Sequence, residues 1–248
     1  MYMEKPKIEI RGLKKSFDEK VVLDELDLDI FRGESLVILG RSGAGKSILI
    51  KTISTLMAPD AGTIKIDGQE ITKLGETKRF LLMDKFGFLF QNSALFDSMT
   101  IWENVAFKLL HSRKINSTEA RKIALEKLKI VDLDEKVADL YPNELSGGMQ
   151  KRVAIARAII CNPEIIFFDE PTTGLDPITA NKINLLIIKT IELSGATAIT
   201  ITHDVHSANL ISSRIALLDN GKICWEGTKD NLYNSNNRQI NNFIGGIE

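Results

Sequence analysis

Ser35-Leu36-Val37-Ile38-Leu39-Gly40-Arg41-Ser42-Gly43-Ala44-Gly45-Lys46-Ser47-Ile48-Leu49-Ile50 passes from an apolar, strand-like run through a glycine-rich loop into a helix-like run that reaches Ile53. Glycines at 40, 43 and 45 open backbone conformations closed to residues with a Cβ, so successive N–H groups can turn inward around an anion. A helix beginning near Lys46 adds its positive end, Lys46 adds a mobile ammonium, and Ser47 adds a hydroxyl suited to a metal ion. Strand, loop and helix in this order are what a phosphate-cradling loop requires. The expected ligand is a nucleoside triphosphate, held by Gly40, Arg41, Ser42, Gly43, Ala44, Gly45, Lys46, Ser47 and Ile48, with magnesium on Ser47.

A second group of residues lies far along the chain. Ile165-Ile166-Phe167-Phe168 reads as a buried strand, and Asp169-Glu170 emerges at its tip. In open α/β sheets the ligand crevice lies beyond the carboxyl ends of the strands, so Asp169 is placed to reach magnesium and Glu170 to face the γ-phosphate and a water. Glu170 is then the candidate general base, with Lys46 and the metal neutralising charge that develops in phosphoryl transfer. Taken alone, the pair also reads as an ordinary solvated strand end. Gln91 follows another strand-like run, Phe86 to Phe90, where its amide can touch magnesium or water. Leu145-Ser146-Gly147-Gly148-Met149 precedes a helix-like run to Ile160 and offers a hydroxyl and free N–H groups at a positive helix end.

Composition narrows the classes. The chain has 248 residues, 44% of them hydrophobic, enough for one large domain with a subdomain. Its formal net charge is −1, with no bulk basic field of the kind that attracts nucleic acid. Its longest apolar runs fall well short of the ~20 residues of a membrane-spanning helix. Met1 to Pro6 lacks an apolar export segment, and Cys161 and Cys224 form no metal-binding spacing, which together suggest a reducing cytosol.

Strand-like and helix-like runs alternate, which predicts an α/β fold with a mainly parallel sheet. Strands are expected at Lys7–Leu13, Gly62–Ile66, Phe86–Phe90, Ile165–Asp169, Thr197–Thr202 and Arg214–Leu218. Asn220-Gly221 between two apolar runs predicts a two-residue hairpin turn. The stretch 92–160 reads as an inserted helical subdomain, notably Ser117 to Lys129, within a single domain over 1–248 whose core is 1–91 with 161–248. The Asn-rich tail, 234–242, reads as solvated or loosely docked.

Gly40 to Ser47, Gln91, Leu145 to Met149, Asp169-Glu170, Thr173-Gly174-Leu175-Asp176 and His203 occur in the order of the P-loop, Q-loop, signature, Walker B, D-loop and switch histidine of ABC transporter ATPases. The chain resembles that family along nearly its whole length. The resemblance implies a P-loop NTPase (RecA-like) core, an antiparallel β subdomain and an inserted α-helical subdomain. It also implies ATP hydrolysis with Mg2+ held by Ser47, Gln91 and Asp169, and catalysis by Glu170, His203 and Lys46. Ser146, Gly147 and Gly148 of one copy would face the γ-phosphate bound by another in a head-to-tail homodimer. Phe17 resembles the aromatic that stacks on adenine, although a single Phe on an amphipathic run serves equally as core. In the family an integral membrane permease docks near Leu95, Phe96 and Met99, which puts the subunit peripherally on the cytoplasmic face of the inner membrane.

Leu89 to Phe96, Met149, Asp169 to Ile178 and the tail 238–247 are most similar to the Mla-type subfamily. That group moves phospholipid with an MCE-domain protein and a small soluble accessory subunit, and its tail contacts the partner ATPase. ATPases of lipoprotein release, amino-acid import or iron–sulfur assembly are the alternatives.

Overall fold

The first two strands, β1 (Ile8–Phe17) and β2 (Lys20–Ile30), form a long antiparallel hairpin in this computed structural model, which describes residues 5–112 and 115–246. Met1–Glu4 and the tail residue Ile247 therefore lie outside it. β2 is not among the expected strands, although Leu26-Asp27-Leu28-Asp29-Ile30 alternates cleanly, with every apolar member buried. β3 (Ser35–Leu39) follows and is buried throughout. α1 (Lys46–Ile53), β4 (Ala61–Ile66), β5 (Gln69–Glu70) and α2 (Glu76–Met83) come next.

β6 (Phe86–Leu89) and the helices α3 (Ile101–Ser112), α4 (Ser117–Ile130) and α5 (Gly147–Ala158) come before β7 (Ile165–Asp169) and α6 (Pro177–Ser194). The chain ends with β8 (Thr197–Thr202), α7 (Val205–Ile211), β9 (Arg214–Asp219), β10 (Lys222–Gly227), α8 (Lys229–Leu232) and α9 (Arg238–Gly245). Two compact units result, one of residues 1–83 with 197–248 and the other of 84–196.

In the first unit an antiparallel sheet runs in the order β2-β1-β4-β5. A second set runs β10-β9-β3-β8, with β3 parallel to both β8 and β9. β3 and β8 are buried along their full lengths, which is why they read as continuous apolar runs rather than as alternation. The β9–β10 turn has φ of 47° at Asn220 and 76° at Gly221, the paired positive values that an Asn-Gly hairpin supplies. The tail is more ordered than its polar composition predicts. Asn237 Oδ1 caps α9 by accepting from Gln239 N and Ile240 N, its Nδ2 donates to Cys224 O on β10, and Ile240 is fully buried.

In the second unit β6 and β7 pair in parallel, Leu89 opposite Phe168. The helices α3, α4 and α5 fall inside the stretch 92–160 read as helical. Ala120, Ala124 and Leu128 form the buried stripe of α4, four residues apart, and Asn116 caps it by accepting from Glu119 N at 2.9 Å. Among the described residues no helix is long and apolar enough to cross a membrane.

Candidate nucleotide-binding site

In the first unit the glycine-rich loop leaves β3 at the carboxyl edge of its sheet. Leu39 pairs with Thr202 on β8, so Gly40 and His203 leave neighbouring strands at the same level, and His203 is exposed there. Gly40 cannot be another residue without a shift, because a Cβ there would lie 2.7 Å from Leu218 O on β9. Gly43 and Gly45 take φ of 80° and 102°, so the loop closes with its backbone turned back on itself before α1 begins.

Lys46 folds over this loop rather than away from it. Its Nζ donates to Gly40 O at 2.7 Å and to Arg41 O at 3.2 Å, and the residue is only 7% exposed. The first turn of α1 has no acidic residue, so no fixed negative charge there opposes an anion at its positive end. β2 passes close behind, with Val22 O 3.0 Å from where a Cβ on Gly45 would stand. That strand's hairpin partner ends at Phe17, which is 44% exposed with Lys15 Nζ 5.6 Å from its ring centroid. Core packing therefore does not account for Phe17. Beside Arg41, a cavity of about 370 Å3 is lined by Asp219, Asn220, Gln239, Asn242 and Phe243, so α9 borders the loop's outer side.

The second unit gathers the other predicted residues. Asp169 ends β7 half-buried, and Glu170 follows at 8% exposure with φ of 47°, a left-handed conformation unusual for a residue with a Cβ. Thr173 Oγ1 donates to Glu170 Oε2 at 3.2 Å, and Thr173 N donates to Glu170 O at 3.3 Å, so the tight turn after β7 fixes the carboxylate. Asp176 then caps α6 by accepting from Ile178 N and Thr179 N, and a hydrogen bond with the Thr179 side chain, together with these backbone bonds, lowers its proton affinity.

Ser146 caps α5, its Oγ accepting from Met149 N at 3.4 Å, while Ser146 and Gly147 face outward. A Cβ on Gly148 would lie 2.7 Å from Thr179 Cγ2, so α5 and α6 approach too closely there for a larger residue. Gln91 is exposed just after β6, and its backbone oxygen accepts from Lys151 Nζ on α5. Leu95 and Met99 are half-buried, and Phe96 is 41% exposed with its ring 4.5 Å from that of Phe107. The buried Asn104 pins this loop, accepting from Phe96 N and donating to Phe96 O, Met99 O and Thr100 O.

The structure thus brings Phe17, the loop 40–47 and His203 into one unit, and Gln91, Ser146–Gly148, Asp169 and Glu170 into the other. Sequence reasoning misses Lys151, Arg157 and Asn104, which hold the segment 91–100. A lysine or arginine in a helix reads as a solvated face, and only the fold shows what these side chains reach. Among the described residues no group of three or more His, Cys, Asp or Glu could hold a metal ion.

Residues 23–173 match the family described as ABC transporter. The chain is 37% identical over 241 residues to "Probable ribonucleotide transport ATP-binding protein mkl" of Mycobacterium leprae, covering 96% of this chain and 69% of that one. It spans 66% of the Mycobacterium tuberculosis counterpart. It is 36% identical over 239 residues to the intermembrane phospholipid transport system ATP-binding protein MlaF of Haemophilus influenzae, covering 96% of this chain and 90% of that one. A solved ATP-binding cassette, a dimer in a post-hydrolysis state with ADP and Pi, superposes with a TM-score of 0.81 at 36% identity, over 90% of this chain and 98% of the other. The chain belongs to the ABC transporter family, as its ATP-hydrolysing cassette.

Proposed function

We propose that this cassette powers a membrane permease that moves phospholipid between membranes, by dimerising on ATP and separating after hydrolysis. The observation that carries the catalytic part is the closed loop at 40–47, with Lys46 folded over it and a helix end free of acidic residues behind it. Phosphate oxygens entering the loop would take over Lys46 Nζ from the carbonyls of Gly40 and Arg41. Phe17, exposed at its strand end, would stack on the base. Glu170 would orient and deprotonate the attacking water, with its carboxylate steadied by Thr173, and His203 would sense the γ-phosphate.

Magnesium favours oxygen donors, and Ser47, Gln91 and Asp169 would offer it a hydroxyl, an amide oxygen and a carboxylate. Bound there, the ion would neutralise charge on the phosphates. The exposed Ser146 and Gly147 at the start of α5 would complete the site of a second copy, giving two composite sites per homodimer. The exposed Phe96 with Leu95 and Met99 would receive the permease.

Phospholipid as cargo is supported by the likeness to MlaF and by the Mla-like wording at 89–96, Met149 and the tail. The likeness to a protein named for ribonucleotide transport supports a second cargo. An MCE-domain partner, a small accessory subunit and residence at the inner membrane belong to the phospholipid reading. The test purifies the complex that this chain pulls down and compares wild type with Glu170→Gln. Expected are a permease carrying phospholipid and a turnover at least ~100-fold lower in the variant, with ATP still bound. A permease without lipid would remove the cargo, and retained turnover would remove Glu170 as base.

A further inference from the structure

The helix that Ser146 opens carries a buried lysine and a half-buried arginine that meet the loop after β6. Lys151 Nζ donates to Gln91 O, and the Arg157 guanidinium donates to Ala94 O at 2.6 Å and to Ser93 O. Ser93 and Ala94 take φ of 59° and 48°, so this turn is strained on its own and needs an outside hold. Arg157 supplies part of it at the cost of burial, which draws its proton affinity down to about 10.

Lys151 is the more informative of the two. It is 5% exposed, and an ammonium so placed must find both hydrogen bonds and opposite charge. Burial lowers its proton affinity, while the carboxylates of Asp169 and Glu170 act on it in the opposite sense. The ammonium touches the backbone of Gln91, and Leu89 pairs with Phe168, so Gln91 and Glu170 leave neighbouring strands at the same level.

We propose that Lys151 is a positioning residue for hydrolysis, fixing the Gln91 backbone to the helix that Ser146–Gly148 begins, beside the strand end that carries Asp169 and Glu170. This rests on the roles given above to Gln91, Asp169 and Glu170. Movement of α5, as when a second copy engages its exposed first turn, would then reach Gln91 itself through this side chain. The contact is invisible in the sequence, where Lys151 sits among Gln150 and Arg152 as one more polar helix residue.

The test uses the full chain with Lys151→Met, which keeps length without charge, and Lys151→Arg, which restores charge. Backbone amide exchange is read without nucleotide, and kcat and KM for ATP are read separately. Lys151→Met is expected to speed exchange at 91–96, with β3 and β7 unchanged, and to lower kcat about tenfold while KM stays within about twofold. Lys151→Arg is expected to recover most of both.

Unchanged exchange at 91–96 in Lys151→Met would overturn the proposal, as would a rise in KM alone. Faster exchange spread over the whole of 84–196 in both variants would mark a structural role and also overturn it. Glu170→Gln is expected to lose turnover with exchange at 91–96 unaltered. Retained turnover in that variant would sink the reading of the carboxylates while the exchange result still judged the hold on Gln91.

Discussion

Gly40 shows how a single missing Cβ can decide a site. The strand before it is buried and paired on both sides, so the chain at residue 40 passes against Leu218 O and cannot yield. Gly40→Ala is expected to lower stability by about 1–3 kcal/mol, read as a fall in thermal midpoint, since overpacking forces a backbone shift. Asn104 is the converse case of a buried polar group that is fully used. Its amide serves four backbone groups of the loop 96–100, so Asn104→Ala should cost about 3 kcal/mol by leaving several of them without partners. Because that loop carries Phe96, the same variant should weaken capture of the permease more than ATP hydrolysis. A charge at Phe96 should uncouple transport from hydrolysis, and loss of hydrolysis in the isolated chain would show that Phe96 serves folding instead.

At the scale of elements, α5 and α6 cross where Gly148 faces Thr179. Gly148→Ala is expected to push the start of α5 away and reduce ATP-driven dimerisation, measured by size exclusion with Glu170→Gln as background. Adding Thr179→Ser, which removes the obstructing Cγ2 and keeps the hydroxyl, should restore it. α9 is held by a cap, one bond to β10 and one buried side chain. Ile240→Asp should release it, seen as faster amide exchange over 238–245, because an unpaired carboxylate cannot remain at that depth. The tail's polar composition conceals this docking, since one apolar residue in a capped turn suffices once a sheet edge is there to receive it. β2 went unread, although Leu26–Ile30 alternates. Its length and its approach to Gly45 depend on the pairing with β1.

At the scale of the molecule, burial also sets reactivity. The Cys224 thiol is pushed up to about 11, chiefly by burial with Asp219 adding to it. A folded value above the unfolded one means that this group favours folding below the unfolded pKa and that the benefit is lost as pH rises through about 11. Alkylation of Cys224 at pH 8 should therefore be slow in the native protein and rapid after denaturation, as followed by intact mass; equal rates would contradict the burial. The sequence by itself determined the strand–loop–helix at 35–53, the hairpin at Asn220-Gly221, the helical stretch within 92–160 and the family, because each is written in local periodicity or in residues whose backbone freedom is peculiar to them. Tertiary structure alone decided that Lys46 folds onto the carbonyls of its own loop, that Arg157 holds the strained turn after β6 and Asn104 the loop 96–100, and that Lys151 reaches Gln91. These contacts join residues far apart in the chain or curl a side chain back upon it, and side-chain reach and burial in a packed interior have no periodicity from which they could be read.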